Sequence, residues 1–233
     1  MIINHTHRFV FIHIPKAAGT TVTRALSDLT RYCDQEIGGS GLGEAAQAYY
    51  MQRFGLRKHS RAEDVMKVMG RDSYMSYFRF AFVRNPYTRL ASAYHFLKAW
   101  DGLPERFRAQ LDPLPDLESF LDSDLWTSAN PGRGPDAIFQ PQARWLFSQG
   151  DTPELLVDFV GKTENLSGDL AAILTRIGAP PPPPGEAPRA NKSPDYNLPE
   201  TWKPEVVARI QQEYRRDFKM FGYSEDPPSI PRS

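Results

Sequence analysis

Apolar residues along this chain fall into short bursts, each followed by a helical stripe. Arg8 to Ile14, Phe78 to Val83 and Leu155 to Val160 are compact runs rich in Phe, Val and Ile, without strict alternation. That is the pattern of strands covered on both faces. After the first run, Val22, Ala25, Leu26 and Leu29 recur at three- and four-residue spacing, the signature of one helix face. After the second, Asn85 is placed to cap a helix with Pro86 in its first turn, and Leu90, Tyr94 and Leu97 form its buried stripe. After the third, Leu166, Leu170, Ile173, Leu174 and Ile177 form a stripe that Gly178 stops. A last helix is predicted from Pro204, carrying Val207, Ile210, Tyr214, Phe218 and Phe221 and ending at Gly222. Strand–helix alternation predicts an α/β fold with a central, mostly parallel sheet flanked by helices. Ligands bind beyond the carboxyl ends of the strands in such sheets, which singles out residues 15–21 and 84–86.

Composition narrows the picture. The 233 residues fit one core, and the reading is a single domain over 1–233. Lys and Arg number 28, as do Asp and Glu, so binding to nucleic acid through overall attraction is excluded, while local clusters remain available for a small anion. One cysteine, Cys33, rules out an internal disulfide framework and any multi-thiolate metal site. No run approaches the roughly 20 apolar residues of a membrane span, and the N-terminus shows no signal-peptide pattern. The expectation is a soluble, cytoplasmic protein. Proline is enriched, with 21 residues. Pro180 to Pro184 reads as an extended surface connector. The tail from Asp226 to Ser233, with Pro227, Pro228 and Pro231, is expected to be disordered. Gly38 to Gly43 reads as a flexible loop or lid, and Trp126, Trp145 and Trp202 as core closers.

Two loops carry the chemistry. The first, Ile14-Pro15-Lys16-Ala17-Ala18-Gly19-Thr20-Thr21, joins a strand to a helix. Small residues let backbone N–H groups approach an anion, the helix N-terminus adds a positive dipole end, and Thr20 and Thr21 supply hydroxyls. Lys16 precedes Gly19, whereas a Walker A loop places its lysine after the glycines. Alone, the segment is equally a plain strand-to-helix turn with a surface lysine. The second loop runs Arg84-Asn85-Pro86-Tyr87-Thr88-Arg89-Leu90-Ala91-Ser92. Arg84 offers a planar fork of donors and Ser92 a hydroxyl about two turns into the helix, a pair suited to one phosphate. Alone, it is equally an arginine paired with a carboxylate and an ordinary helical serine.

Jointly the loops are specific. Ile-Pro-Lys-x-x-Gly-Thr-Thr followed by Arg-Asn-Pro-x-x-Arg-Leu-x-Ser-x-Tyr resembles the sulfotransferases that use 3′-phosphoadenosine 5′-phosphosulfate (PAPS). The likeness is to the carbohydrate branch, of heparan and chondroitin type, and its soluble bacterial relatives. Weaker echoes are Lys58-His59-Ser60, Phe159 to Leu166 and Tyr214 to Tyr223. The resemblance implies a P-loop-like fold. It implies that Lys16 contacts the oxygen bridging sulfate and phosphate, that Ala18, Gly19, Thr20 and Thr21 hold the 5′-phosphate, and that Arg84 and Ser92 hold the 3′-phosphate. It makes Lys192 a late contact to the nucleotide. PAPS is then the donor, released as 3′,5′-adenosine bisphosphate (PAP), with no metal needed and a hydroxyl of a glycan as acceptor.

An acceptor hydroxyl needs a base, and histidine is the natural one near neutral pH. His59 is the first candidate: Ser60-Arg61-Ala62-Glu63 reads as a capping box, placing His59 in an exposed loop just before a helix. His13, two residues before the loop, reads equally as a buried structural group. His95 reads as packing, His5 and His7 as surface residues, and Glu44 or Asp101 remain carboxylate alternatives. Trp100 beside Asp101, and the irregular stretch from Gly102 to Ala137 with only a short helix near Leu117 to Leu121, suit an acceptor site. The motifs report on the donor alone, so a small-molecule or tyrosine acceptor stays open. A P-loop kinase would need the Walker lysine and an acidic strand end, where the strands here end in Ile14-Pro15, Arg84 and Gly161-Lys162. A non-catalytic nucleotide-binding module is the third reading.

Overall fold

The apolar runs supply three adjacent strands, the last of them at one edge, of a five-stranded sheet. In chain order the elements are β1 (Ile2–Asn4), β2 (Phe9–Ile12), α1 (Gly19–Ser27), β3 (Gln35–Glu36), α2 (Gly41–Phe54), α3 (Ala62–Met69), α4 (Arg71–Met75), β4 (Phe78–Val83), α5 (Pro86–Ala99), α6 (Glu105–Leu111), α7 (Leu117–Asp122), α8 (Ala143–Leu146), β5 (Phe159–Lys162), α9 (Leu166–Arg176), α10 (Pro204–Glu213) and α11 (Arg215–Phe221). The computed structural model describes residues 1–131, 134–179 and 198–228. Pro180 to Pro184, Lys192 and the last five residues of the tail lie outside them. The chain divides into two compact units, one from Met1–Val83 and Gln142–Lys192, the other from Arg84–Pro141 and Ser193–Ser233.

The sheet belongs to the first unit, with strand order β3-β1-β2-β4-β5. β2 pairs parallel with β4 and β4 with β5, while β1 runs antiparallel to both β2 and β3. Only β1 is therefore reversed, and the mostly parallel α/β reading holds. In the register, Phe9 and Phe11 sit opposite Phe78 and Phe80, so Phe rings at alternate positions line one face. That face packs against Val22 and Leu26 of α1 and Leu166, Leu170 and Ile173 of α9. The intervening Val10, Ile12, Ala81 and Val83 are also fully buried, as strands covered on both faces require. Gly161 of β5 is needed where it stands: a Cβ there would come within 2.6 Å of the Phe82 ring.

The second unit is helical. Tyr87, Leu90, Tyr94 and Leu97 of α5 pack with Phe120 and Leu121 of α7, with Ile210 of α10, with Phe218 of α11 and with Tyr214 between those two helices. Arg89 is buried among them at 2% exposure. Its guanidinium donates to the carbonyls of Ile138 at 2.9 Å and Gln140 at 3.0 Å. Trp126 and Trp145 are core residues, as expected, and Trp202 is only partly buried, edge-on to Tyr87. Trp100 is half-buried and stacks on Phe96.

Several expectations are corrected. The third strand lies at Phe159–Lys162 rather than Leu155 to Val160. Leu155 forms an isolated antiparallel bridge with Phe147, and Leu156 N–H donates to the Leu146 carbonyl; Asp158 then pairs with Arg79, so the ladder with β4 starts one residue later. The segment from Gly38 to Gly43 is no loop throughout. Ser40 Oγ accepts from Gly43 N–H at 3.1 Å and caps the fourteen-residue α2. The last helix breaks at Tyr214, whose hydroxyl donates to the buried Phe139 carbonyl. β1 and β3 were not anticipated, since three and two residues are too few to set a pattern.

Candidate functional site

The first loop leaves β2 at Ile12 and enters α1 at Gly19. Lys16 has φ of 63° and Ala18 of 57°, left-handed conformations that cost a non-glycine residue about 1 kcal/mol each. Left-handed residues within such a turn aim backbone N–H groups into one concavity suited to an anion. Ala18 occupies the cap position of α1 with no side-chain cap among the described residues, and the first turn carries no acidic residue, an arrangement that leaves a helix N-terminus electropositive. Lys16, Thr20 and Thr21 are half-buried. Gly19 admits no side chain: a Cβ there would lie 1.9 Å from both Cδ2 and Nε2 of His13.

His59 stands in the turn between α2 and α3. Lys58 Nζ contacts Glu44 of α2 at 2.7 Å, Gln47 accepts from Lys58 N–H, Ser60 Oγ accepts from Arg57 N–H at 2.8 Å, and Trp145 Nε1 donates to the His59 carbonyl at 2.9 Å. His59 Nδ1 lies 2.7 Å from the His13 carbonyl oxygen. A carbonyl only accepts, so Nδ1 carries the proton and Nε2 keeps its lone pair. The two imidazoles meet edge to face, centroids 4.7 Å apart. Burial pushes the His59 pKa down to about 3, partly offset by the bond to His13, and burial holds His13 well below its ordinary value. Both rings are neutral at pH 7. The expected exposed loop is therefore corrected to a half-buried turn. The expected Ser60–Glu63 capping box is corrected too: α3 starts one residue later, and Asp64 accepts from Arg61 N–H at 3.0 Å.

In the second unit, Arg84 directly follows β4 and Asn85 caps α5, its Oδ1 accepting from Tyr87 N–H at 3.0 Å with Pro86 at the first helical position. Arg84 Nε donates to Thr88 Oγ1 at 3.1 Å, and that hydroxyl donates to the Asn85 carbonyl. Arg84, Thr88 and Ser92 follow at four-residue spacing, which keeps them near one face of α5. Arg84 is half-buried and Ser92 is 3% exposed. Again no acidic residue occupies the first turn. Thr88 went unremarked in the sequence, although its spacing from Arg84 was the available signal. Thus His13, Lys16, Ala18, Gly19, Thr20, Thr21 and His59 come together in the first unit, Arg84 lies just before α5 and Ser92 on it in the second, and Lys192 falls outside the described residues.

In an α/β sheet of this kind, ligands bind in the loops beyond the carboxyl ends of the strands. The chain belongs to the sulfotransferase family, whose model matches residues 1–224, so it is a transferase and its chemistry is sulfuryl transfer. No curated protein and no solved structure shows significant similarity to it. Among the described residues, no group of three or more His, Cys, Asp and Glu side chains is arranged to hold a metal ion, and no helix is long and apolar enough to cross a membrane.

Proposed function

We propose that the protein moves the sulfuryl group of PAPS to a hydroxyl of a glycan and releases PAP. The observation that carries the donor half is the left-handed, uncapped turn from Lys16 to Gly19. The acceptor half rests on the resemblance of the chain as a whole, from about Phe9 to Tyr223, to the carbohydrate branch. Backbone N–H groups from Ala18 to Thr21, with the two threonine hydroxyls, hold the 5′-phosphate, and Arg84 and Ser92 hold the 3′-phosphate. PAPS supplies an activated sulfuryl group on a good leaving phosphate. Lys16 neutralises the charge that develops on that phosphate as the sulfur–oxygen bond breaks, and His59 Nε2 takes the acceptor proton as the new sulfur–oxygen bond forms. Anionic charge held near the two imidazoles raises the His59 pKa from its depressed value, which strengthens it as a base when donor is present.

The test is transfer from PAPS to a panel of polysaccharides, phenols and tyrosine peptides. Sulfation of polysaccharide hydroxyls alone is the expected result. Transfer to phenol or peptide alone contradicts the glycan assignment, and no PAPS turnover with any acceptor class contradicts the donor. Lys16→Ala is expected to lower the rate roughly a hundredfold while PAP affinity stays within about tenfold, the pattern of a lost transition-state contact.

A further inference from the structure

The imidazole of His13 is 97% covered, at 3% exposure, and its Nδ1 has no hydrogen-bond partner among the described residues. Filling space does not explain it. A phenyl ring would occupy the same place, stacked on Phe11 on one side and edge-on to His59 on the other, without leaving a buried polar atom unsatisfied. The orientation of the ring is informative. Its Cδ2–Nε2 edge is the part closest to Gly19, both atoms 1.9 Å from where a Cβ would stand, and Gly19 opens α1 directly after the two left-handed residues of the loop. An orphaned buried N–H is rarer than an orphaned acceptor, so Nδ1 is the unpartnered lone pair and Nε2 bears the hydrogen, on the edge that abuts Gly19.

We propose that His13 is a further donor-binding residue, its Nε2–H hydrogen-bonding the 5′-phosphosulfate end of the nucleotide held by the Lys16 loop. This rests on PAPS being the donor. The titratable and charged groups around the ring are Lys16 in the loop, Lys58 and His59 in the turn before α3, and the Met1 amino group. These are neutral or cationic, so nothing among them competes with an anion for the Nε2 hydrogen. A ligand bond at Nε2 gives the imidazole a role that a phenyl ring could not fill, while Nδ1 stays the unpartnered acceptor.

The experiment is calorimetric titration of the full chain with PAP and with adenosine 3′-monophosphate, which lacks the 5′ group, for wild type and His13→Phe. His13→Phe is expected to bind PAP at least about tenfold more weakly, to bind adenosine 3′-monophosphate as wild type does, and to melt at or above the wild-type temperature. Equal PAP affinity in both chains overturns the inference, as does an equal loss for the two nucleotides. Wild type failing to bind PAP overturns the donor assignment itself, a separate result. Should His13→Phe not fold, nitrogen-15 NMR of wild type gives the answer: the His13 Nε2 resonance is expected to move on adding PAP and to stay put with adenosine 3′-monophosphate. An unmoved resonance with PAP bound overturns the inference.

Discussion

At the scale of single residues, the site is set by what Gly19 lacks. A methyl group there meets a buried ring that has no room to retreat, so Gly19→Ala is expected to cost about 1–3 kcal/mol of stability, as overpacking does, and to abolish PAP binding. In a His13→Ala background the same change should cost much less, because the two positions share one contact. Thermal melts of the four chains measure that coupling, and strict additivity would refute the contact. His13 also leaves a mark on acid stability. Its folded-state pKa is depressed by burial, so below the ordinary value of about 6.5 the unfolded chain takes up a proton that the folded chain refuses, and stability falls as pH falls. The contribution approaches about 1.4 kcal/mol per pH unit below the ordinary value, until the folded ring itself takes up a proton, and is nothing above about pH 7. Denaturant titrations should show that slope shrink by this amount in His13→Phe. An unchanged slope would mean that the ring is charged when folded.

At the scale of elements, α5 shows how caps place function. Asn85 satisfies the first N–H groups of the helix while its carbonyl receives the Thr88 hydroxyl that holds Arg84. Asn85→Ala should cost about 1 kcal/mol of stability, whereas Thr88→Val, which removes the hydroxyl that accepts from Arg84 Nε, should weaken PAP binding; PAP affinity intact in Thr88→Val would separate the helix start from the site. This cap was legible in the sequence because Asn-Pro after an apolar run is a local signal, and so were the Lys16 loop and the stripes of α1, α5 and α9. Elsewhere local pattern misled. Leu156 and Val157 are apolar because they are buried beside Leu146 and Phe147 rather than because they pair with β4, and periodicity cannot tell those cases apart. Ser60 has the chemistry of a cap, but its hydroxyl closes the turn onto Arg57 N–H. The burial of His59 and the approach of His13 to Gly19 depend on contacts 46 residues apart in one case, beyond any window of pattern.

At the scale of the whole molecule, 28 basic and 28 acidic residues give no net attraction for anions, so affinity for a phosphorylated nucleotide must come from local groups. The family match runs through residue 224 and so takes in both the Lys16 loop and the Arg84 helix. The central claim is that both motifs serve one donor nucleotide. Calorimetric titration of the full chain with PAP, beside ATP with magnesium and beside Arg84→Ala, tests it most directly. The account predicts that PAP binds in preference to ATP–magnesium and that Arg84→Ala weakens PAP by at least about tenfold, as loss of a charged phosphate contact does. Binding of ATP–magnesium alone, or PAP binding indifferent to Arg84, would contradict it.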